Sequence, residues 1–294
     1  MKSVSIIGVG RVGGALTIAL AKKKYKIENL FFRNRKELNV AQFLNAPPKE
    51  LFVNDYSQIN SEIIFIATGD SEIEKVAGEL AKKLRGQPYV FHTSGSLSSK
   101  DLKVLNEIGC RVGSIHPLVS ISEAVTGAEH FADAYFCVEG DPEAVLIAEK
   151  IVLDLGGKSF SVKTEYKILY HASAVTACGH LVALIDVAIE MLTRCGLDET
   201  EARKMLMPLV KSTVENLNTQ NTSEALTGTF ARVDVKTLEN HLQIIKETVS
   251  RDILEVYLQL GFRSLHLAEV RGVDQKNIAE MQNKMLLAKK NIKC

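Results

Sequence analysis

Ser3-Val4-Ser5-Ile6-Ile7-Gly8-Val9-Gly10-Arg11-Val12-Gly13-Gly14-Ala15 is the stretch that decides the fold. A short β-branched run passes directly into G-x-G-x-x-G. Val12, Leu16 and Leu20, with Ala15 and Ala19, then recur at helical spacing. Strand, glycine turn and helix in immediate succession form the context a dinucleotide fingerprint requires. Gly8 permits the tight turn, Gly10 lets backbone approach a pyrophosphate, and Gly13 lets the helix lie close to the strand. The helix start, with Arg11 and Val12, presents free N–H groups and the positive dipole end to phosphate.

A second strand, Leu30-Phe31-Phe32, ends in Arg33-Asn34-Arg35, and no carboxylate lies between Glu28 and Glu37. A site for NAD expects an acidic residue about 20 positions after the glycines, to bind the ribose 2′-hydroxyl. Guanidinium groups in that place suit a 2′-phosphate instead. The expected cofactor is NADP, held by Gly8, Gly10, Arg11, Val12, Gly13, Arg33, Asn34 and Arg35.

At 294 residues the chain has room for two domains. It is 46% hydrophobic and 24% charged with formal net charge +1, a balance that points to neither nucleic acid nor a polybasic membrane contact. The first strand begins at residue 3, so a preceding signal or transit peptide is not expected. The long apolar stretch from Ala172 to Ile189 is interrupted by His180 and Asp186 and reads as a buried helix, not a membrane span. Cys110, Cys137, Cys178, Cys195 and Cys294 are dispersed without C-x-x-C, which fits reduced thiols in a cytoplasm. No metal motif is present. His171 and His180, nine residues apart, fall on opposite faces of a helix.

Strand-like runs at 3–7, 29–33, 51–53, 63–67, 89–92, 111–115 and 134–138 alternate with helical patterns near 11–24, 35–45, 71–84, 98–107 and 142–154. Apolar strands separated by helices predict a parallel sheet covered on both faces, a doubly wound α/β fold. Beyond Phe160 the pattern turns helical. Thr164 can cap a long helix to about Cys195, and Asp198 with Glu201 resembles a capping box for the next. Asp234 starts a helical region running past Leu260, and Asp274 caps a last one. The expectation is a Rossmann domain at 1–160 and an all-helical domain at 161–294. The long helix is rich in small residues, which predicts close packing against another element or subunit.

Ligands in doubly wound sheets bind outside the carboxyl ends of the strands. Three ends carry chemistry: Thr68-Gly69-Asp70, Thr93-Ser94-Gly95 and His116-Pro117. His116, held extended by Pro117, is the candidate to move the proton that accompanies hydride transfer. Ser94 can bond the same substrate atom. Thr68 and Asp70 read as helix caps and also stand among the candidate cofactor-binding residues; His92 reads as structural. His171 is a further candidate in the long helix, and Arg232 and Asp234 stand close enough to pair.

These residues together resemble a family of Rossmann-like oxidoreductases with a helical C-terminal domain of unknown function. The resemblance rests on His92-Thr93-Ser94-Gly95, Gly113-Ser114-Ile115-His116-Pro117-Leu118, Tyr170-His171-Ala172, Met207-Pro208-Leu209, and the segment from Leu226 through Asp234 to His241-Leu242. Thr229 and Val233 stand where the family tends to have Pro and Gly, and Gly179 where Asn is expected. Wider relatives resemble pyrroline-5-carboxylate reductase, prephenate dehydrogenase and 3-hydroxyacyl-CoA dehydrogenase. In the last two a serine and a histidine at successive strand ends work on the substrate hydroxyl. The resemblance implies an NADP-dependent oxidoreductase of a small carbonyl, hydroxyl or imine compound, working between its domains and dimeric through the helical one. Two other readings stand: a non-catalytic NADP-binding sensor or scaffold, and a prephenate or arogenate dehydrogenase. Against the last, no clear arginine motif for substrate carboxylates occurs in the helical half.

Overall fold

The computed structural model describes residues 2–32, 40–44, 48–52 and 56–292. It divides into two compact units, Met1–Cys178 and Gly179–Cys294.

The first unit runs β1 (Ser3–Ile7), α1 (Arg11–Lys22), β2 (Lys26–Phe32), β3 (Lys49–Phe52), β4 (Ile63–Ile66), α2 (Asp70–Ala81), β5 (Tyr89–His92), α3 (Lys103–Asn106), β6 (Arg111–Pro117), α4 (Ala124–Glu129), β7 (Tyr135–Gly140), α5 (Pro142–Asp154), β8 (Lys158–Phe160) and α6 (Lys167–Ala177). All eight strands form one sheet, ordered β3-β2-β1-β4-β5-β6-β7-β8. Strand order reverses between β1 and β4, the switch point at which such sheets open a crevice.

Apolar residues face both sides of the strands, as the continuous runs predict. Ile6, Phe65, Phe91 and Ile115 pack with Leu16 and Leu20 of α1 and Ile151 of α5. Ile7, Ile64, Ile66, Val90 and Val112 pack with Ile73 and Leu80 of α2 and Leu105 of α3.

The sheet departs from the expected one at one edge. β7 runs antiparallel to β6, with His116 opposite Cys137 and Ser114 opposite Glu139. β8, too short to register as a strand in the sequence, then pairs parallel to β7. The unit also extends beyond residue 160, because α6 lies on the β6–β8 end of the sheet: Tyr170 stacks edge-on against Phe160 and bonds His116. The expected helix at 35–45 lies mostly outside the described residues; Val40–Phe43 forms a 3-10 turn.

The second unit is helical: α7 (Gly179–Arg194), α8 (Glu199–Thr219), α9 (Thr222–Ala225), α10 (Gly228–Arg232), α11 (Val235–Thr248), α12 (Arg251–Val270) and α13 (Gln275–Ile292). Its core joins Leu238, Leu258, Met281 and Met285 from α11, α12 and α13. Asp198 caps α8 by accepting the Glu201 N–H at 2.9 Å.

Four helical expectations are corrected. The single helix from Thr164 to Cys195 is two helices, α6 and α7, separated at Cys178, with Gly179 a poor helix former at the break. Thr164 does not cap it but begins a 3-10 turn. The apolar stretch from Ala172 to Ile189 is not buried: in α7 only Ile189 is, so among the described residues nothing covers this face. Residues 164–194 are apolar enough to cross a membrane by composition, but the two helices hold 11 and 16 residues, each short of the roughly 20 a span needs. The helical region after Asp234 likewise breaks, between Thr248 and Arg251.

Candidate active site

The glycines are required by the geometry of the turn. Gly8 has φ +91°, and a Cβ there would sit 2.9 Å from the Ala67 carbonyl group at the end of β4. A Cβ on Gly13 would lie within clashing distance of the Gly8 carbonyl oxygen. These two glycines seat α1 on the switch point. Gly10 differs: a Cβ there meets nothing within 4 Å. It is the N-cap of α1 and supplies no side-chain bond to the helix start, and Arg11 follows it exposed. The N–H groups of the first turn thus face open space with the helix dipole behind them, a ready anion site. These features fit a dinucleotide pyrophosphate. Arg33, Asn34 and Arg35 lie outside the described residues.

A pocket of about 210 Å³ opens at the same edge of the sheet, lined by Val12, Ala67, Thr68, Asp70, Thr93, Ser94, Gly95, His116, Pro117, Val119, Ile121 and His171. It brings together residues from the glycine turn, three strand ends and α6, all in the first unit. The Thr68 hydroxyl is buried with no partner among the described residues, so it is free for a ligand. Neither Thr68 nor Asp70 caps α2: Gly69 is its N-cap, and Asp70 instead accepts from the Ser96 hydroxyl at 2.5 Å. A larger pocket of about 470 Å³ in the second unit is lined by Leu242, Lys246, Arg251 and Leu254 among others, with no histidine or carboxylate among the described residues. It lacks the groups a proton-moving site needs, and the smaller pocket is the better candidate.

His116 and His171 meet in the smaller pocket with ring centroids 5.9 Å apart. Both rings lie on the backbone of Gly95, where a Cβ would stand 2.7–2.8 Å from them. His116 Nδ1 lies 2.7 Å from the Tyr170 hydroxyl. Burial, then the proximity of His171 and Lys167, lowers His116 to about 4. The imidazole is therefore neutral at physiological pH and does not titrate near 6.5, the value its residue type suggests. Tyr170 is raised by burial and keeps its proton. The direction of this bond goes with the ring tautomer: where the phenol donates to Nδ1, the ring's own hydrogen sits on Nε2. Nε2 is the nitrogen on the Gly95 side.

Ser94 is buried and its Oγ accepts the N–H groups of Ser96 and Leu97 at 3.2 and 3.0 Å. Its hydroxyl organises the turn as well as lining the pocket. His92 is fully buried beneath it and accepts the Ser94 N–H on Nδ1 at 3.2 Å. Burial, reinforced by Lys167, lowers His92 to about 4. Nε2 lies toward the Ser98 backbone without a well-formed hydrogen bond.

Sequence reasoning missed Lys167, Tyr170 and Glu139. Lys167 is 1% exposed and donates to Ser114 Oγ at 2.7 Å and Glu139 Oε1 at 3.1 Å. The available signal was the spacing of Lys167, Tyr170, His171 and Ala174, a single helix face carrying one charge. In the second unit Asp234 does not pair with Arg232 but caps α11, accepting the Thr237 N–H and hydroxyl at 3.0 and 2.8 Å. Among the described residues no cluster of metal-ligating side chains occurs.

This arrangement is that of a Rossmann-like fold. The comparisons agree: residues 1–117 match a Rossmann-like domain and residues 134–264 a domain of unknown function, DUF2520. The chain is thus a Rossmann-like domain followed by a DUF2520 domain, and the second match begins at β7, inside the sheet. A protein of Thermotoga maritima is similar over 91% of this chain and 99% of its own, at 26% identity and TM-score 0.70. A protein of Bacteroides fragilis, described as an NADP oxidoreductase, is similar over 90% and 98%, at 20% identity and TM-score 0.74. Pyrroline carboxylate reductase of Plasmodium falciparum, solved with NADP bound, is similar over 91% and 98%, at 12% identity and TM-score 0.59. Likeness at the last two identities shows the fold alone. No curated protein matches.

Proposed function

We propose that the chain is an NADP-dependent oxidoreductase acting on a small carbonyl, hydroxyl or imine compound. One observation carries the reading: the pocket that holds His116 and His171 is also lined by Val12 of the glycine turn and by Thr68, so the dinucleotide fingerprint and the proton-moving groups share one space. Bound NADP would supply the hydride chemistry. Gly10 and the first turn of α1 would hold its pyrophosphate, and Thr68 offers a hydroxyl alongside. The NADP preference rests on Arg33 and Arg35 in the sequence.

His116 then acts as a neutral donor. Its Nε2–H hydrogen-bonds a substrate oxygen or nitrogen and stabilises negative charge as it develops there, while the Tyr170 hydroxyl steadies Nδ1. His171 packs beside it and excludes water from that side. Ser94 keeps the turn in place, and its hydroxyl also stands 3.3 Å from Ser96 Oγ. The helical second unit supports dimerisation, taken up below.

Titration calorimetry with NADPH and NADH, followed by NADPH oxidation with a panel of carbonyls and imines, tests the reading. NADPH binds more tightly, and His116→Ala lowers turnover about 10²–10⁴-fold with NADPH affinity unchanged. Failure to bind either cofactor overturns the proposal; tight binding without turnover across the panel favours the sensor.

A further inference from the structure

Lys167 is a costly residue in its place. It is the first residue of α6, where a cation opposes the helix dipole. It is also 1% exposed, and burying a charge is expensive unless it is paired and hydrogen-bonded. Neither helix stability nor apolar packing accounts for an ammonium there.

Its contacts do. Nζ donates to Ser114 Oγ and to Glu139 Oε1. Glu139 in turn accepts the Ser99 N–H and hydroxyl, both at 2.8 Å. Ser114 reaches the Ser94 carbonyl at 3.4 Å. One ammonium therefore ties together the four elements that carry the site. The turn after β5 holds Ser94 and Gly95. β6 holds Ser114 and, two residues on along the same face, His116. β7 holds Glu139, and α6 holds Tyr170 and His171 one turn beyond Lys167. The tolerance is small, because both imidazoles rest on Gly95 with no room for a methyl group.

We infer that Lys167 is the positioning residue of this pocket: its buried ammonium sets the register of α6 against the sheet, and so holds Tyr170 on His116 Nδ1 and His171 beside the ring. An apolar residue of the same length would fill the space but leave the register free to slip. The inference rests on the reading of the His116 pocket as the reacting end. The charged and titratable groups facing His116 are Lys167 and His171 from α6, Asp70 from the start of α2, and His92 from β5. Lys167 is the fixed cation of that set, so its removal changes the ring's proton affinity in a known direction.

The test follows the histidine side-chain nitrogens of the full chain by NMR through a pH titration, without cofactor, for Lys167→Met, Lys167→Arg and Ser114→Ala, with a melting curve for each. In Lys167→Met the His116 midpoint rises from about 4, still short of 6.5 because burial persists. The Nδ1 resonance moves as the Tyr170 contact loosens. Lys167→Arg, which keeps the cation, restores both. A purely structural lysine would lower the melting temperature, and its lost charge would still raise the His116 midpoint, but the Nδ1 resonance that reports the Tyr170 contact would stay in place; that result overturns the inference. Should Lys167→Met fail to fold, Ser114→Ala decides: loss of the 2.7 Å bond shifts the His116 Nδ1 resonance, and an unchanged resonance overturns the inference. NADPH affinity, measured alongside on the unmodified chain, tests the oxidoreductase reading separately and leaves the titration result standing.

Discussion

Two histidines buried in neutral form make this chain sensitive to acid in a calculable way. His92 and His116 are both lowered to about 4 by burial, against an ordinary 6.5. Between those values the unfolded chain binds protons that the folded chain refuses, so stability falls as pH drops through that window and is fully present above it. Each histidine contributes at most about 1.4 kcal/mol per pH unit there. Chemical denaturation at pH 7, 5.5 and 4.5 should show the decline, and His92→Asn, which keeps an acceptor for the Ser94 N–H, should flatten it. An equal slope in that variant would mean His92 is not one of the responsible groups. The positions of His116 and Ser94 were readable in the sequence because strand ends in this fold point at ligand. The proton affinity of His116 was not, because it is set by groups distant along the chain: Lys167 and His171 on a helix the sequence assigned to another domain. Lys167 stayed hidden for a related reason, since a lone lysine at a helix start looks like a solvated one until its burial is known.

At the scale of elements, the strands were legible and their directions only in part. β1, β4, β5 and β6 are apolar runs between helices, and the parallel order follows from that pattern. β7 shares the composition but lies antiparallel, and composition carries no sign of direction. The break between α6 and α7 was masked by a run of small, good helix formers on either side of Gly179. In the second unit Val233 adopts φ +52° and ψ +48°, a left-handed conformation that opposes a β-branched side chain, yet it is buried in the helical core. It is the position at which the resembled family tends to carry glycine. Val233→Ala and Val233→Gly both lose the buried side chain, but only glycine relieves the backbone. The glycine variant should therefore be the more stable of the two by about 1 kcal/mol in urea denaturation, opposite to the order inside a helix. Alanine equal or better would show that the left-handed turn carries no strain.

For the whole molecule, the uncovered faces of α7 and α8 are the largest open question that physical chemistry can close. α7 buries only Ile189 and α8 only Ala202, while Val182 is 67% and Leu209 62% exposed. Apolar surface on this scale marks an interaction face, and a second copy is the proposed cover, in line with the resemblance. Sedimentation at micromolar concentration should give a dimer, and Val182→Glu should shift it to monomer with its melting curve for the Rossmann unit retained. A monomer in the unmodified chain would end that proposal. A different consequence follows from β7 and α6. The segment matching the first family, residues 1–117, contains the glycine turn, Ser94 and His116, but Glu139, Lys167, Tyr170 and His171 come from the next one. On the ribosome the first segment emerges, able to pair β1 through β6, before these four residues do. The nascent chain therefore holds the glycine turn beside an open sheet edge, and completes the lining of the pocket only when α6 arrives. The seam between the two modules runs through the pocket itself, since His171 from the second lines it beside Ser94 and His116 from the first.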